Sequence, residues 1–167
     1  EIADKKIRVV GDIEKLVDAP ILVYGKENKT QAVKTMLTHT FSNYAHHKKI
    51  AVLSFDEPEA VETFLKEATV LLENAGLKYE TVNISQSSSI LYSKKISEII
   101  EEKSKNNEFI ILPIPKIKNN YEGIVELKYA DGVILVVKLS KSEKKELIKT
   151  LSFLEEEQAE LQGIIVF

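Results

Sequence analysis

The run Gly132–Leu139, GVILVVKL, is the clearest strand in the sequence. Its first six residues contain no polar side chain, and a short, unbroken apolar run is typical of a parallel strand that is covered on both faces. The runs Ile50–Phe55 (IAVLSF) and Phe109–Leu112 (FIIL) have the same character. Prolines follow the second of these, so we expect that strand to stop at Pro113, since proline cannot donate to a central ladder. The three runs predict a sheet buried between layers of helices.

Helical patterns lie between these strands. Apolar residues recur at helical spacing in four segments: Thr30–Tyr44, Ala60–Ala75, Leu91–Lys105 and Leu147–Leu154. Asp56, with Glu59 three residues later, predicts a capping box at the start of the second helix, and Gly76 predicts its end. Strands that alternate with helices of this length predict an α/β fold, a three-layer, doubly wound and mostly parallel sheet.

Composition restricts the classes of function. The 167 residues include 23 basic and 26 acidic ones, well mixed, with a net charge of −3 and no cysteine. A general nucleic-acid binder needs a clustered basic face, and thiolate chemistry needs cysteine, so we expect neither. The longest apolar run has the length of a strand, and no transmembrane segment is predicted. The length predicts a single domain over residues 1–167.

The first strand-to-helix turn, Ser54–Thr63, contains no glycine and no lysine. Folds of this kind often bind phosphate there, through a glycine-rich loop whose N–H groups approach the anion and a lysine that meets its charge. Pro58 removes one N–H group. Carboxylates that could compete with a phosphate for the helix dipole stand at four positions, Asp56, Glu57, Glu59 and Glu62. The turn is therefore predicted to be a self-capped helix start.

Metal binding is the alternative for these four acids, and it stays open from the sequence. His46 and His47 are a second, weaker candidate for a metal site. With Lys48 and Lys49 they follow a predicted helix end, where cations offset the dipole, and that structural role is the simpler interpretation. The prediction is no metal and no cofactor.

The order of several short strings resembles the cytoplasmic domain of bacterial tyrosine kinases (BY-kinases), which regulate capsule and exopolysaccharide export. Tyr129–Val137 (YADGVILVV) resembles a strand of that family, and Gly163–Phe167 (GIIVF) resembles the strand that follows it. Asp12–Leu22 is similar to the segment next to the membrane, so residues 1–25 are interpreted as a juxtamembrane-like segment packed on the domain. The resemblance implies a P-loop NTPase-like fold of the deviant-Walker type.

The nucleotide motifs of that family fall on this sequence without gaps. The Walker A motif falls on Ser54–Thr63, and its two glycines, its lysine and its magnesium-binding serine become Pro58, Ala60, Val61 and Glu62. Two aspartates of the second motif become Asn83 and Ser85, and the Walker B aspartate becomes Pro113. The resemblance therefore predicts a domain with no catalytic residue, no bound ATP and no kinase activity, because phosphoryl transfer depends on these groups.

The resemblance also bears on partners. The charged positions of the family's ring-forming helix become Gln31, Lys34 and Leu37, which puts that assembly in doubt. We expect a regulatory or scaffolding domain at the inner, cytoplasmic face of the membrane, in contact with a chain-length regulator or an active kinase and with no nucleic acid. The alternative is a module that binds a small molecule or nucleotide in the strand-end crevice in a non-standard way.

Overall fold

The computed structural model describes residues 5–42, 48–83, 92–117 and 127–167, with no side-chain description for 92–95. The helices are α1 (Val10–Glu14), α2 (Lys29–Phe41), α3 (Pro58–Asn74), α4 (Tyr92–Asn106) and α5 (Lys144–Glu156). The strands are β1 (Ile21–Val23), β2 (Lys49–Ser54), β3 (Tyr79–Thr81), β4 (Phe109–Ile114), β5 (Gly132–Val137) and β6 (Glu160–Val166). Within the described ranges, no helix is long and apolar enough to cross a membrane.

The strands form one sheet in the order β1-β6-β5-β2-β4-β3, and every ladder between them is parallel. β2 lies in the middle of the sheet, with β4 and β3 on one side and β5, β6 and β1 on the other, which is the doubly wound arrangement that the sequence predicts. The predicted α/β fold class is confirmed. The carboxyl ends of β2, β4 and β5 lie side by side in the middle of the sheet, where such folds place their ligands.

Helices cover both faces of the sheet. Along β2, Ala51 and Leu53 point into a core shared with α1, α4 and α5, whereas Ile50 and Val52 point into a core shared with α2 and α3. Consecutive strand residues face opposite sides, so a strand buried on both sides must be apolar at every position. This explains the unbroken apolar runs and confirms the three layers.

Pro113 does not end β4, and the expectation that it would is wrong. β4 continues to Ile114, and Pro113 pairs with Val52 of β2. Phe109 N–H donates toward β3, to the carbonyl oxygen of Lys78, and donors alternate in direction along a strand, so the Pro113 nitrogen also faces that side. β3 ends at Thr81, two residues short of this position, and the missing N–H therefore leaves the ladder intact.

The residues before β1 contact the core and the loop after β5. Ile7 and Ile13 are fully buried. The Ile7 N–H donates to the Ser142 carbonyl oxygen at 2.9 Å, and the Ser140 N–H donates to the Ile7 carbonyl oxygen at 2.7 Å. Ser140 has a φ of 64°, and α5 begins at Lys144 with Glu143 as its N-cap residue.

Asp12 gives this segment a pH-dependent contribution to stability. Its Oδ2 accepts the N–H groups of Arg8 at 2.9 Å and Val9 at 3.2 Å, and these bonds lower the pKa of the carboxyl below 3.8. A lowered pKa means that the stabilisation is complete at neutral pH and is lost as the pH falls through the folded-state pKa. We expect Asp12→Ala to lower the melting temperature at neutral pH, and the difference from wild type to shrink below pH 3.8.

Thermal unfolding followed by circular dichroism at a series of pH values measures this effect. Asp18→Ala removes an exposed carboxylate before β1 and is the matched control. An Asp12→Ala difference that stays constant down to low pH would contradict the assignment.

Candidate functional site

The candidate site is the turn between β2 and α3, at the central carboxyl edge of the sheet. β2 ends at Ser54 and α3 begins at Pro58, so the segment matched to Walker A does lie at a strand-to-helix junction. Pro113 lies next to it, on β4. Asn83 is exposed beyond β3, one strand further out, and Ser85 lies outside the described residues.

The start of α3 is not capped as the sequence predicts. The N-cap residue is Glu57, not Asp56, and no side chain caps the helix. Pro58 occupies the first turn, where its missing N–H is not needed. The Glu57 carbonyl oxygen accepts the N–H groups of Ala60 at 3.2 Å and Val61 at 3.3 Å. Donors that would face a phosphate in a P-loop are therefore already bonded within the turn.

Ser54 joins this turn to the loop after β4. It is fully buried, and its Oγ donates to the Pro115 carbonyl oxygen at 2.6 Å and accepts the Glu57 N–H at 3.0 Å. The Ser54 carbonyl oxygen accepts the Ile117 N–H at 3.0 Å. The bonds to Pro115 and Ile117 bridge the ends of β2 and β4, the two strands between which a phosphate and its metal would lie in a P-loop enzyme, and the bond from Glu57 fixes the turn itself.

Ser54→Ala is expected to lower the free energy of unfolding by about 2 kcal/mol, because it leaves the Glu57 N–H and the Pro115 carbonyl without a partner at a partly buried site. Urea denaturation measures this change. Ser42→Ala, on the exposed end of α2, is the control, since its hydroxyl bonds only the local His39 carbonyl. Equal stability of Ser54→Ala and wild type would show that the bridge does not hold the turn.

The position matched to the phosphate lysine belongs to the core. Val61 is 2% exposed and packs in the cluster between α3, α2 and the sheet, and Ala60 is buried beside it. Glu62, at the magnesium-binding position, faces solvent and pairs with Lys66 on the next helical turn at 3.1 Å. An exposed pair of this kind contributes little to stability. The side chains of α3 are thus arranged to cover the sheet.

The acidic side chains of the turn do not point toward a common position where a metal ion could bind. Asp56 is exposed and lies 3.7 Å from the Lys116 ammonium, across the crevice, and Glu59 is exposed on α3. Within the described residues, no three histidine, aspartate or glutamate side chains are grouped so that they could hold a metal ion. The metal alternative for these acids therefore has no support in their geometry. His46 and His47 lie outside the described residues.

The three positions matched to the family's ring-forming helix lie on α2. Gln31 and Lys34 are exposed, whereas Leu37 is 8% exposed and packs in the core between α2 and α3. One charged side chain therefore remains on the surface at these positions.

Sequence reasoning missed the role of Ser54. Its hydroxyl donates to the Pro115 carbonyl and its carbonyl accepts the Ile117 N–H, and both partners are more than sixty residues away in the chain. No local pattern signals such a bond, because it depends on the register between β2 and β4.

The fold and the site together define a parallel, doubly wound α/β domain whose turn between β2 and α3 has no glycine. Comparison with solved structures agrees with this class. The kinase domain of the Escherichia coli tyrosine kinase ETK has a TM-score of 0.67 at 12% identity, covering 97% of this chain and 88% of that one. The BceF tyrosine kinase domain has a TM-score of 0.71 at 11% identity, covering 97% and 98%.

The chimerical protein CapA2B2 is similar as well, with a TM-score of 0.66 at 14% identity, covering 97% of this chain and 92% of that one. No family model and no curated protein matches the sequence. The chain therefore has the fold of bacterial tyrosine kinase domains over nearly its whole length. The resemblance noted in the sequence is confirmed at the level of the fold.

Proposed function

We propose that this is a non-catalytic, kinase-like regulatory or scaffolding domain that does not bind ATP and acts through protein–protein contact. The main support for this proposal is the arrangement of backbone and side chains in the β2–α3 turn. The N–H groups of Ala60 and Val61 are bonded to the Glu57 carbonyl, Pro58 has none, and the lysine position is a buried valine. A nucleotide phosphate therefore meets N–H groups that are already bonded at Ala60 and Val61, and a valine where a phosphate-binding lysine would stand.

The electrostatics of the turn support the same proposal. Glu59 and Glu62 are exposed on the first turns of α3 and place negative charge where a phosphate would lie. The nearby cation, Lys116, is 3.7 Å from Asp56. Bringing a triphosphate to this edge would set like charges against each other, because the protein does not supply the neutralising groups that phosphoryl transfer requires.

The proposed setting is the assembly or export of a capsular polysaccharide or exopolysaccharide. Its support is the kinase-like fold together with the sequence strings Asp12–Leu22 and Tyr129–Val137, which resemble BY-kinases. In this setting the domain lies at the inner face of the membrane and contacts a membrane-spanning chain-length regulator or an active kinase.

Isothermal titration of ATP with Mg²⁺ tests the first part of the proposal, with a catalytically active bacterial tyrosine kinase domain as the positive control. We expect no saturable heat and no incorporation of labelled phosphate into tyrosine. Saturable ATP–Mg²⁺ binding would overturn the claim that the site is closed. Pull-down from a polysaccharide-producing bacterium tests the partner, and recovery of proteins unrelated to polysaccharide export would overturn the proposed setting while leaving the first part intact.

A further inference from the structure

An apolar groove lies between α2 and the end of α3, far from the β2–α3 turn. Its volume is about 450 Å³, and the residues that line it are Lys34, Leu37, Thr38, Phe41, Ser42, Leu71, Leu72, Ala75 and Leu77. Small-molecule sites in proteins typically have roughly 300–1,000 Å³ and mostly apolar walls. The groove has the size and the lining of such a site.

A second groove of about 430 Å³, lined by residues of polar type, continues from it along α2. Its lining is Gln31, Lys34, Thr35, Thr38, His39 and Ser42. Three residues, Lys34, Thr38 and Ser42, line both grooves, so the two grooves share a border. An occupant of both would need an apolar body and a polar end.

Lys34 determines the charge of that polar end. Its side chain is exposed on this border, and no described carboxylate pairs with it. The hydroxyls of Thr38 and Ser42 donate to the carbonyl oxygens of Lys34 and His39, so among the three border residues the Lys34 ammonium is the donor that remains for a ligand. A carboxylate or phosphate is the natural partner of an ammonium.

The helix dipoles set the orientation of such a ligand. Phe41, Ala75 and Leu77 lie at the C-terminal ends of α2 and α3, where the dipole carries partial negative charge. Lys34 lies in the middle of α2, two turns away from that end. The anionic end is therefore stable beside Lys34, and the apolar end is stable between the helix ends.

We infer that these two grooves form one binding site for a small amphipathic anion, a straight-chain carboxylate of the fatty-acid type, with its head beside Lys34 and its chain between α2 and α3. This site is separate from the β2–α3 turn and does not depend on the proposed function. Each methylene buried in such a groove raises affinity up to about fourfold.

Titration calorimetry with sodium decanoate below its critical micelle concentration tests the inference. We expect saturable binding, up to about fifteenfold weaker binding of octanoate because two methylenes are lost, and no saturable binding of decyltrimethylammonium. Lys34→Glu is expected to weaken decanoate binding about tenfold or more. Lys26→Glu, the same charge change on the exposed loop before α2, is the matched control and should leave binding unchanged.

A variant that fills the apolar groove tests whether the hydrocarbon chain of the ligand binds there. Ala75 is exposed and ends α3 with helical backbone angles, so Ala75→Trp can occupy the groove without entering the core. We expect it to abolish decanoate binding while its melting temperature stays near that of wild type. Absence of saturable decanoate binding to wild type would overturn the inference. Binding that is unchanged in Ala75→Trp, or equal binding of the cationic amphiphile, would overturn it as well.

Discussion

Replacing Val61 by lysine, the residue that a P-loop carries at this position, is expected to lower the free energy of unfolding by roughly 3–5 kcal/mol. Val61 is 2% exposed and packs against the sheet between α2 and α3. An ammonium there loses its hydration, and burial disfavours the charged form. We also expect Val61→Lys to gain no ATP binding, because the Ala60 and Val61 N–H groups remain bonded to the Glu57 carbonyl.

Urea denaturation with calorimetric titration of ATP–Mg²⁺ measures both properties. Glu62→Lys introduces the same side chain one residue later, on the exposed face of α3, and should change stability by about 0.5 kcal/mol or less. A Val61→Lys variant that is as stable as wild type and binds ATP would show that the turn can still open as a phosphate site.

Gly163→Ala is expected to lower the free energy of unfolding by about 3 kcal/mol, because it overfills a close contact between β6, β1 and α2. A Cβ atom at Gly163 would overlap the Met36 side chain and lie 2.9 Å from the Pro20 carbonyl oxygen. Met36 can move, but that carbonyl accepts the Ile164 N–H at 2.8 Å and is held in place. Relief of the overlap would therefore disturb the β1–β6 pairing.

Gly11→Ala is the matched control, because the nearest heavy atom to an added Cβ there is 4.0 Å away. Thermal and urea unfolding of both variants measure the difference. If Gly163→Ala is as stable as Gly11→Ala, the close approach of β1 to β6 is not a constraint on the fold.

Much of the fold could be predicted from local patterns. The unbroken apolar strands and the helical stripes between them indicate a parallel, doubly wound sheet, because a strand buried on both faces must be apolar at every position. Gly76 ends α3 as predicted and has a φ of 69°. The prediction for Pro113 failed because the direction of its nitrogen depends on which strand neighbours β4, and that is a matter of strand order.

The sequence predicted where the candidate site lies in the fold, but it did not predict the hydrogen bonds that hold it. The sequence indicates that the β2–α3 turn lacks glycine and lysine, and it suggests Asp56 as the cap. In the structure, Glu57 is the N-cap residue, and the Ser54 hydroxyl stabilises the turn by accepting the Glu57 N–H. Capping patterns are local, whereas the partner of the Ser54 hydroxyl, Pro115, is supplied by the neighbouring strand.

The amino-acid sequence by itself determined the fold class and the absence of glycine and lysine from the β2–α3 turn. Both are properties of residue identity along the chain, since periodicity and the absence of glycine can be seen without coordinates. Only the tertiary structure decided that Val61 faces the core, that Ser54 bridges β2 to the loop after β4, and that Lys34 borders an apolar groove. Each of these depends on distant segments packing against one another, and no local pattern contains that information.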